Sequence, residues 1–521
     1  MPTSKFPIQS GIDRRAALIG LGGAAAAACS PKGPEVVDAD REFLVVEGPH
    51  PTKREPASAG KFYGLMGVAE TLVAADVRGR PRPALASAWT GSDDRLKWRF
   101  TLRPGARFQD GTPVTAAAVV RALERALARP GVLGLIPISA IAAEGEEVAV
   151  RLRSPSVLAL PALAHESTVI LAPSAFDAAD EVTAVIGTGP YKVKAATEQE
   201  VAVESWDGWA GAKPRIRRAR YLSASRPETR ALLAESGQAD AVFDLDWPSE
   251  SRLRGRPELS VMDVPSPRTT VLKVNSGHPF LADVRARRAL SLAVDRQGIA
   301  KGIFGNPDRA ATQLLPAFFP DWRVEGLEPL KTDQAEARRL LAELGWRPGP
   351  DGVLVRDGRP FRLKLLSYAT RTDQPMITAA LQQQFRQVGV AVEVVLGSAA
   401  DIIAAHKNGT LELAMFARNH AFLADPVGVL MQDYARGGGD WGAMGWEDEG
   451  VVRALQALAS GTEPERAPAL RETVVRTLQA ELPVIPLIFN TRSAAFNRRV
   501  ADVRLDPLER TYALAEMGWS G

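Results

Sequence analysis

Residues 275–306 read NSGHPFLADVRARRALSLAVDRQGIAKGIFGN. The segment entering them, Thr270-Val271-Leu272-Lys273-Val274-Asn275, is extended and apolar, alternates like a strand and ends in a polar turn. Asp283 stands where an N-cap belongs, and Val284, Ala286, Ala289, Leu290, Ala293 and Val294 recur at helical spacing. Asp295 opens a second helix through Ile299 and Ile303 that stops at Gly305. Periodicity alone therefore gives strand–turn–helix–helix inside an α/β domain.

Composition bounds the rest. A chain of 521 residues exceeds one ordinary core, so two or three domains are expected. Apolar content of 45% and charged content of 24% fit a globular protein. The net charge is +3, with acids and bases interspersed and no basic run beside aromatics, which excludes a nucleic-acid footprint. The single cysteine, Cys29, excludes intrachain disulfides and thiolate clusters.

Cys29 closes an export-like segment. Arg14-Arg15 precede an apolar run rich in Ala and Gly, too short for a permanent span, which ends in Ala26-Ala27-Ala28-Cys29. The paired arginines resemble a twin-arginine signal, and the small residues before Cys29 resemble a lipoprotein processing box, with Ala26 where Leu is usual. A lipid anchor at Cys29 is the expectation and a plain cleaved signal the alternative. Residues 1–29 are thus read as the export signal and 30–40 as a tether.

The wording of the first stretch goes further than its periodicity. Pro279-Phe280, Asp283-Val284-Arg285, Arg288-Ala289-Leu290-Ser291, Ala293-Val294-Asp295-Arg296 and Gly302-Ile303-Phe304-Gly305 resemble the signature of family 5 solute-binding proteins. These are the peptide- and nickel-binding receptors of ABC importers. Upstream, the Pro83–Trp89 block, Phe100–Leu102 and Phe108-Gln109-Asp110-Gly111-Thr112-Pro113 follow the family's pattern, with Ala118 where an acidic residue is usual. Gly187-Thr188-Gly189-Pro190-Tyr191 matches its turn and reads as structural, since no Gly-Lys-Ser/Thr follows and Pro190 lacks an amide. Leu482–Ile488 matches a late strand, so the likeness covers roughly residues 42–500.

The resemblance implies a two-lobe periplasmic-binding-protein-like α/β fold of class II type, with a ligand cleft between lobes joined by two hinge segments. Residues 41–271 with 487–521 would form lobe I with an extra subdomain, and 272–486 lobe II. The crossing points fall at Val271–Asn275 and Val484–Asn490. Such a receptor works as a monomer with ABC permease subunits, at the outer face of the cytoplasmic membrane or in the periplasm, and needs no cofactor.

For the site, the strongest candidate is Met415 to Pro426, a strand that turns irregular at Asp425-Pro426. In dipeptide receptors an Asp three residues before this Asp-Pro holds the peptide ammonium; here that position is Phe422. In nickel-binding relatives an aromatic residue lies five before the same Asp; here it is His420, flanked by Arg418 and Asn419. Histidine can ligate nickel, and arginine can grip a carboxylate in a bidentate fork. Downstream, Tyr434 to Trp446 carries Gly437-Gly438-Gly439 and Trp441, a loop that the family places beside the cleft. Arg129 and His165 fall near positions where nickel-chelate receptors place arginines. Each of these has a plain structural alternative, as a capping, solvated or core residue.

Catalysis lacks a motif. The five histidines make no HExxH pair, no G-x-S-x-G elbow occurs, and the cysteine belongs to the signal. The sequence therefore points to a binder of peptides, with a nickel chelate as the alternative ligand and an exported hydrolase as the alternative class.

Overall fold

In the computed structural model, residues 41–50, 53–368, 372–421 and 425–520 are described. Arg14, Arg15, Cys29 and Phe422 lie outside them.

Two long antiparallel strands, Leu259–Val274 and Val484–Asn497, run through the middle of a ten-stranded sheet. Their pairing extends from Leu259 opposite Asn497 to Lys273 opposite Val484, and it slips between Pro265 and Thr269. Pro265 and Pro267 have no amide to give the ladder, so the register breaks there. On one flank lie Leu413–Asn419, Arg362–Tyr368 and the edge strand Ala391–Gly397. On the other flank, Ala241–Phe243, Glu42–Glu47, Arg218–Ser223, Glu200–Ser205 and Tyr191–Ala196 follow in that order. Within the sheet, the two long strands join the flanks. The fold is the two-lobe α/β architecture.

The first long strand begins at Leu259, well before the expected start at Thr270. Pattern reading misses the added part because it carries Pro265 and Pro267, which argue against a central strand. Leu272 and Val274 enter a core with Leu290, Phe361 and Ile485, while Val271 enters another with Phe416 and Leu430. That end of the strand, Thr269 to Val274, is thus covered on both faces.

The decisive stretch folds as read. Helix Val284–Ala293 is capped by Asp283, whose carboxylate accepts from the Arg285 amide, and Arg296–Phe304 by Asp295, which accepts from Gly298. Gly305 ends it in the left-handed region, at φ 64°. Arg296 is buried and holds the stretch onto the second crossing strand, donating to the Pro486 carbonyl at 2.7 Å. Asp333 and Glu336 stand at the spacing of a capping box, and the box is half formed. Asp333 accepts from the Glu336 amide, but the Glu336 carboxylate turns outward to Arg339.

A separate four-stranded antiparallel sheet (Ala86–Gly91, Lys97–Leu102, Glu147–Leu152, Ile138–Glu144) packs with helix Ala116–Leu127. Among the described residues, no helix is long and apolar enough to cross a membrane.

Candidate functional site

A cavity of about 350 Å³ opens beside the register break, with walls from both flanks of the sheet. One wall is the end of strand Leu413–Asn419, with Trp441 and Tyr368. The other carries Lys61 from helix Pro56–Leu65, the turn at His165-Glu166, and Arg510. Arg268, on the first crossing strand opposite Asn419, joins them.

Arg418 grips Asp433 in a fork, Nε to Oδ2 at 2.7 Å and Nη2 to Oδ1 at 2.8 Å. Asp433 is buried, and burial pushes its carboxyl up against the pull of Arg418. The glycine loop explains how Asp433 is covered. A Cβ on Gly442 would stand 2.0 Å from the Asp433 carbonyl oxygen, so only glycine lets the loop pass. Trp441, carried by that loop, meets Phe416 edge-on at 4.9 Å.

Behind this wall, buried Lys273 donates to His406 Nδ1 and to the Asp440 carbonyl, both at 2.8 Å. Burial pushes the Lys273 amine down to about 8. A base depressed in the fold contributes stability that is complete above its unfolded value and is lost as pH falls toward the folded one. Relative to Lys273→Met, the wild type is therefore expected to gain up to about 3 kcal/mol as pH rises from about 8 toward 10.5, with no change in the difference below 8. Urea melts across that window test it; parallel profiles would refute it.

On the opposite wall, Glu509 is the shared acceptor: Arg268 Nη2 reaches it at 2.8 Å and Lys61 Nζ at 2.5 Å. Burial opposes ionisation of Glu509, but Arg268, Lys61 and Arg492 together hold its carboxyl well below the usual range. Arg510 donates to the Asp76 carbonyl at 2.6 Å and lies 3.6 Å from Asp506. His165 is buried, and its Nδ1 accepts from the Ser167 amide; burial pushes its pKa down, so the ring is neutral at pH 7.

Of the residues singled out in the sequence, Arg418, Asn419, Trp441 and His165 line this cavity. His420 does not. Its amide donates to the Pro267 carbonyl at 2.9 Å, the side chain is fully buried, and neither ring nitrogen has a partner among the described residues. Burial, then the Arg418 charge, pushes it down to about 3. Tyr434 is core, edge-on to Trp446 at 6.3 Å. Arg129 is drawn away by Asp180 at 3.1 Å and Glu55 at 3.7 Å. Lys61, Glu166, Arg268 and Arg510 carried no signal in the sequence. Extending the strand back from Thr270 would have reached Arg268 alone.

A family model, "Bacterial extracellular solute-binding proteins, family 5 Middle", matches residues 80–440. The glutathione-binding protein GsiB of Salmonella typhimurium is 28% identical over 65% of this chain and 64% of its own length. The match thus spans less than two thirds of that relative. The nickel-binding periplasmic protein of Escherichia coli is 25% identical over 85% of this chain and 87% of its own. Among solved structures, NikA from Brucella suis in complex with Fe(III)-EDTA superposes with a TM-score of 0.81, at 22% identity over 91% of this chain and 100% of that one. AppA from Bacillus subtilis in complex with a nonapeptide gives 0.78, at 16% identity over 92% and 99%. With a family model covering well over half its length, this chain belongs to the family 5 bacterial extracellular solute-binding proteins.

Proposed function

We propose that the chain is the solute-binding receptor of an ABC importer, that it captures a peptide in the cleft beside the crossing strands, and that it hands the peptide to the permease as a monomer. It is a binder and not an enzyme. The observation that carries this is the cavity itself. Two walls from opposite flanks of the sheet face each other across about 350 Å³, within the range of small-solute sites. Lobes comprising 41–271 with 487–521 and 272–486 would close on the ligand by bending where the pairing slips, between Pro265 and Thr269. Relatives named for glutathione and a structure holding a nonapeptide support the peptide class.

A nickel chelate is the second reading. Arg268, Arg418 and Arg510 suit the carboxylates of a chelator, and a relative is named for nickel. The metal would arrive inside its chelator, since His420 lies buried behind the wall. Calorimetry with di- to pentapeptides, and with Ni²⁺ plus histidine, separates the readings. Saturating peptide at about a hundred times its Kd should stabilise the protein by about 2.7 kcal/mol. Absence of heat and of thermal shift with every peptide and with the chelate would overturn the receptor reading.

The same reading places the protein outside the cytoplasmic membrane, held by a lipid on Cys29 after export through the Arg14-Arg15 signal. Cys29→Ser is expected to move it from the membrane to the soluble fraction. Membrane retention of that variant would refute the anchor.

A further inference from the structure

Four basic side chains and one acidic side chain line the cavity: Lys61, Arg268, Arg418 and Arg510 against Glu166. The carboxylates that pair with the arginines stand behind the cavity surface, with Asp433 2% and Asp506 5% exposed. Their fork and contacts leave donors unspent. Among the described residues, Arg418 Nη1 and Arg268 Nε and Nη1 have no acceptor. Glu166 is in the opposite condition. The base beside it is the neutral His165 ring, 3.7 Å away, and no lysine or arginine among the described residues pairs with it.

Glu166 also stands where the cavity continues. An adjoining space of about 650 Å³ shares Ala75, Ala164, Glu166 and Arg510 with the first, and ends at Trp209, on which Arg103 stacks at 5.0 Å. A ligand anchored at Glu166 can send a side chain into that space while its carboxylates face the arginines. The position that family resemblance gives to an ammonium-binding Asp is Phe422 in this chain, so an ammonium needs another acceptor. Glu166 is the acidic side chain on the cavity surface among the described residues.

We propose that the cleft selects short peptides bearing more carboxylates than ammonium groups, with Glu166 receiving the amino terminus and Arg268 and Arg418 receiving carboxylates. This deepens the peptide reading above and rests on it. An ammonium on Glu166 gains a charge-assisted hydrogen bond, and each extra carboxylate meets guanidinium donors already oriented by Glu509 and Asp433. The acids that line the adjoining space, Glu70, Asp76, Asp506 and Glu516, are each already paired with an arginine, so a basic peptide side chain finds no second unpaired acid among the described residues.

The test is calorimetry on the whole exported chain with Ala-Glu, Ala-Ala, Ala-Lys and N-acetyl-Ala-Glu, alongside Ni²⁺ plus histidine. Ala-Glu is expected to bind at least tenfold tighter than Ala-Ala, with Ala-Lys weakest. Glu166→Gln is expected to weaken Ala-Glu about tenfold to a hundredfold while leaving N-acetyl-Ala-Glu unchanged, the cost of one lost charged hydrogen bond. Arg268→Gln, which leaves Lys61 on Glu509, is expected to narrow the gap between Ala-Glu and Ala-Ala. Binding of Ala-Lys as tight as Ala-Glu, or equal losses for the free and acetylated peptides in Glu166→Gln, overturns the inference and leaves the peptide reading standing. Binding of the nickel complex with no peptide bound overturns both.

Discussion

Arg418→Ala is expected to lower the unfolding free energy by about 3–5 kcal/mol and to abolish measurable ligand binding. The two losses have separate causes. Stability falls because Asp433, only 2% exposed, loses both bonds of the fork and is left buried without its partner. Binding falls because the cleft wall loses the guanidinium it presents to a carboxylate. The pH profile separates this account from simple loss of packing. Burial already raises the Asp433 carboxyl in the wild type, and removing Arg418 raises it further. A carboxyl raised in the fold favours the folded state at acid pH and loses that benefit as pH climbs through its folded value. The deficit of the variant is therefore smallest below the wild-type Asp433 value and grows until pH passes the variant's own. Adding Asp433→Asn should recover part of the loss at neutral pH, because a neutral amide costs less to bury unpaired than a carboxylate. Urea melts of the single and double variants check this. A pH-independent deficit would mean that the fork is incidental.

How much of this was legible in the sequence depends on how local each cause is. The caps at Asp283 and Asp295 and the stop at Gly305 are settled within a few residues, and the chain obeys them. The capping box at Asp333 needed a further choice by Glu336 between a backbone amide and Arg339. Arg339 sits one turn on and took the carboxylate. The length of the first crossing strand was hidden because Pro265 and Pro267 interrupt its missed part, and only pairing with the distant second crossing strand carries it through them.

The site divides in the same way. Arg418 and Asn419 came from resemblance to a motif around Asp425-Pro426, and Trp441 from the glycine-rich loop Tyr434 to Trp446; all three face the cavity. His420 belongs to the same motif, but Pro267 holds its amide and the ring turns inward; a one-residue step at a strand end decides between cleft and core. Arg129 sits just past the end of its helix, where Asp180 and Glu55 compete for it successfully. Lys61, Glu166, Arg268 and Arg510 come from four separated parts of the chain. Each alone reads as an ordinary solvated charge, and only the fold makes them a set.

Gly60→Ala is the second change expected to act strongly, and its sign is opposite to that of helix propensity. Gly60 lies inside helix Pro56–Leu65, next to Lys61. In an exposed helix interior, alanine in place of glycine stabilises by up to about 1 kcal/mol. At Gly60, however, a Cβ would stand 1.9 Å from the Glu166 carbonyl oxygen and 2.9 Å from its carbonyl carbon. The obstacle is backbone, so no side-chain rotation relieves it; either the helix or the His165–Thr168 turn must move. Overpacking of this kind costs about 1–3 kcal/mol, which offsets the propensity gain and leaves a net loss of up to about 2 kcal/mol. Both elements that would move carry cavity residues, Lys61 on one and Glu166 on the other. Affinity for a free-amino peptide is accordingly expected to fall at least tenfold, since this contact sets Lys61 and Glu166 relative to each other on that wall of the cleft. Gly302 supplies the control. It too lies inside a helix, Arg296–Phe304, but nothing stands within 4 Å of where its Cβ would go. Gly302→Ala should raise stability by about 0.5–1 kcal/mol and leave binding unchanged. Chemical denaturation and calorimetry of the pair decide the matter: if Gly60→Ala were stabilised as much as Gly302→Ala, the tight packing of the helix on the Glu166 turn would not be what positions that wall of the cleft.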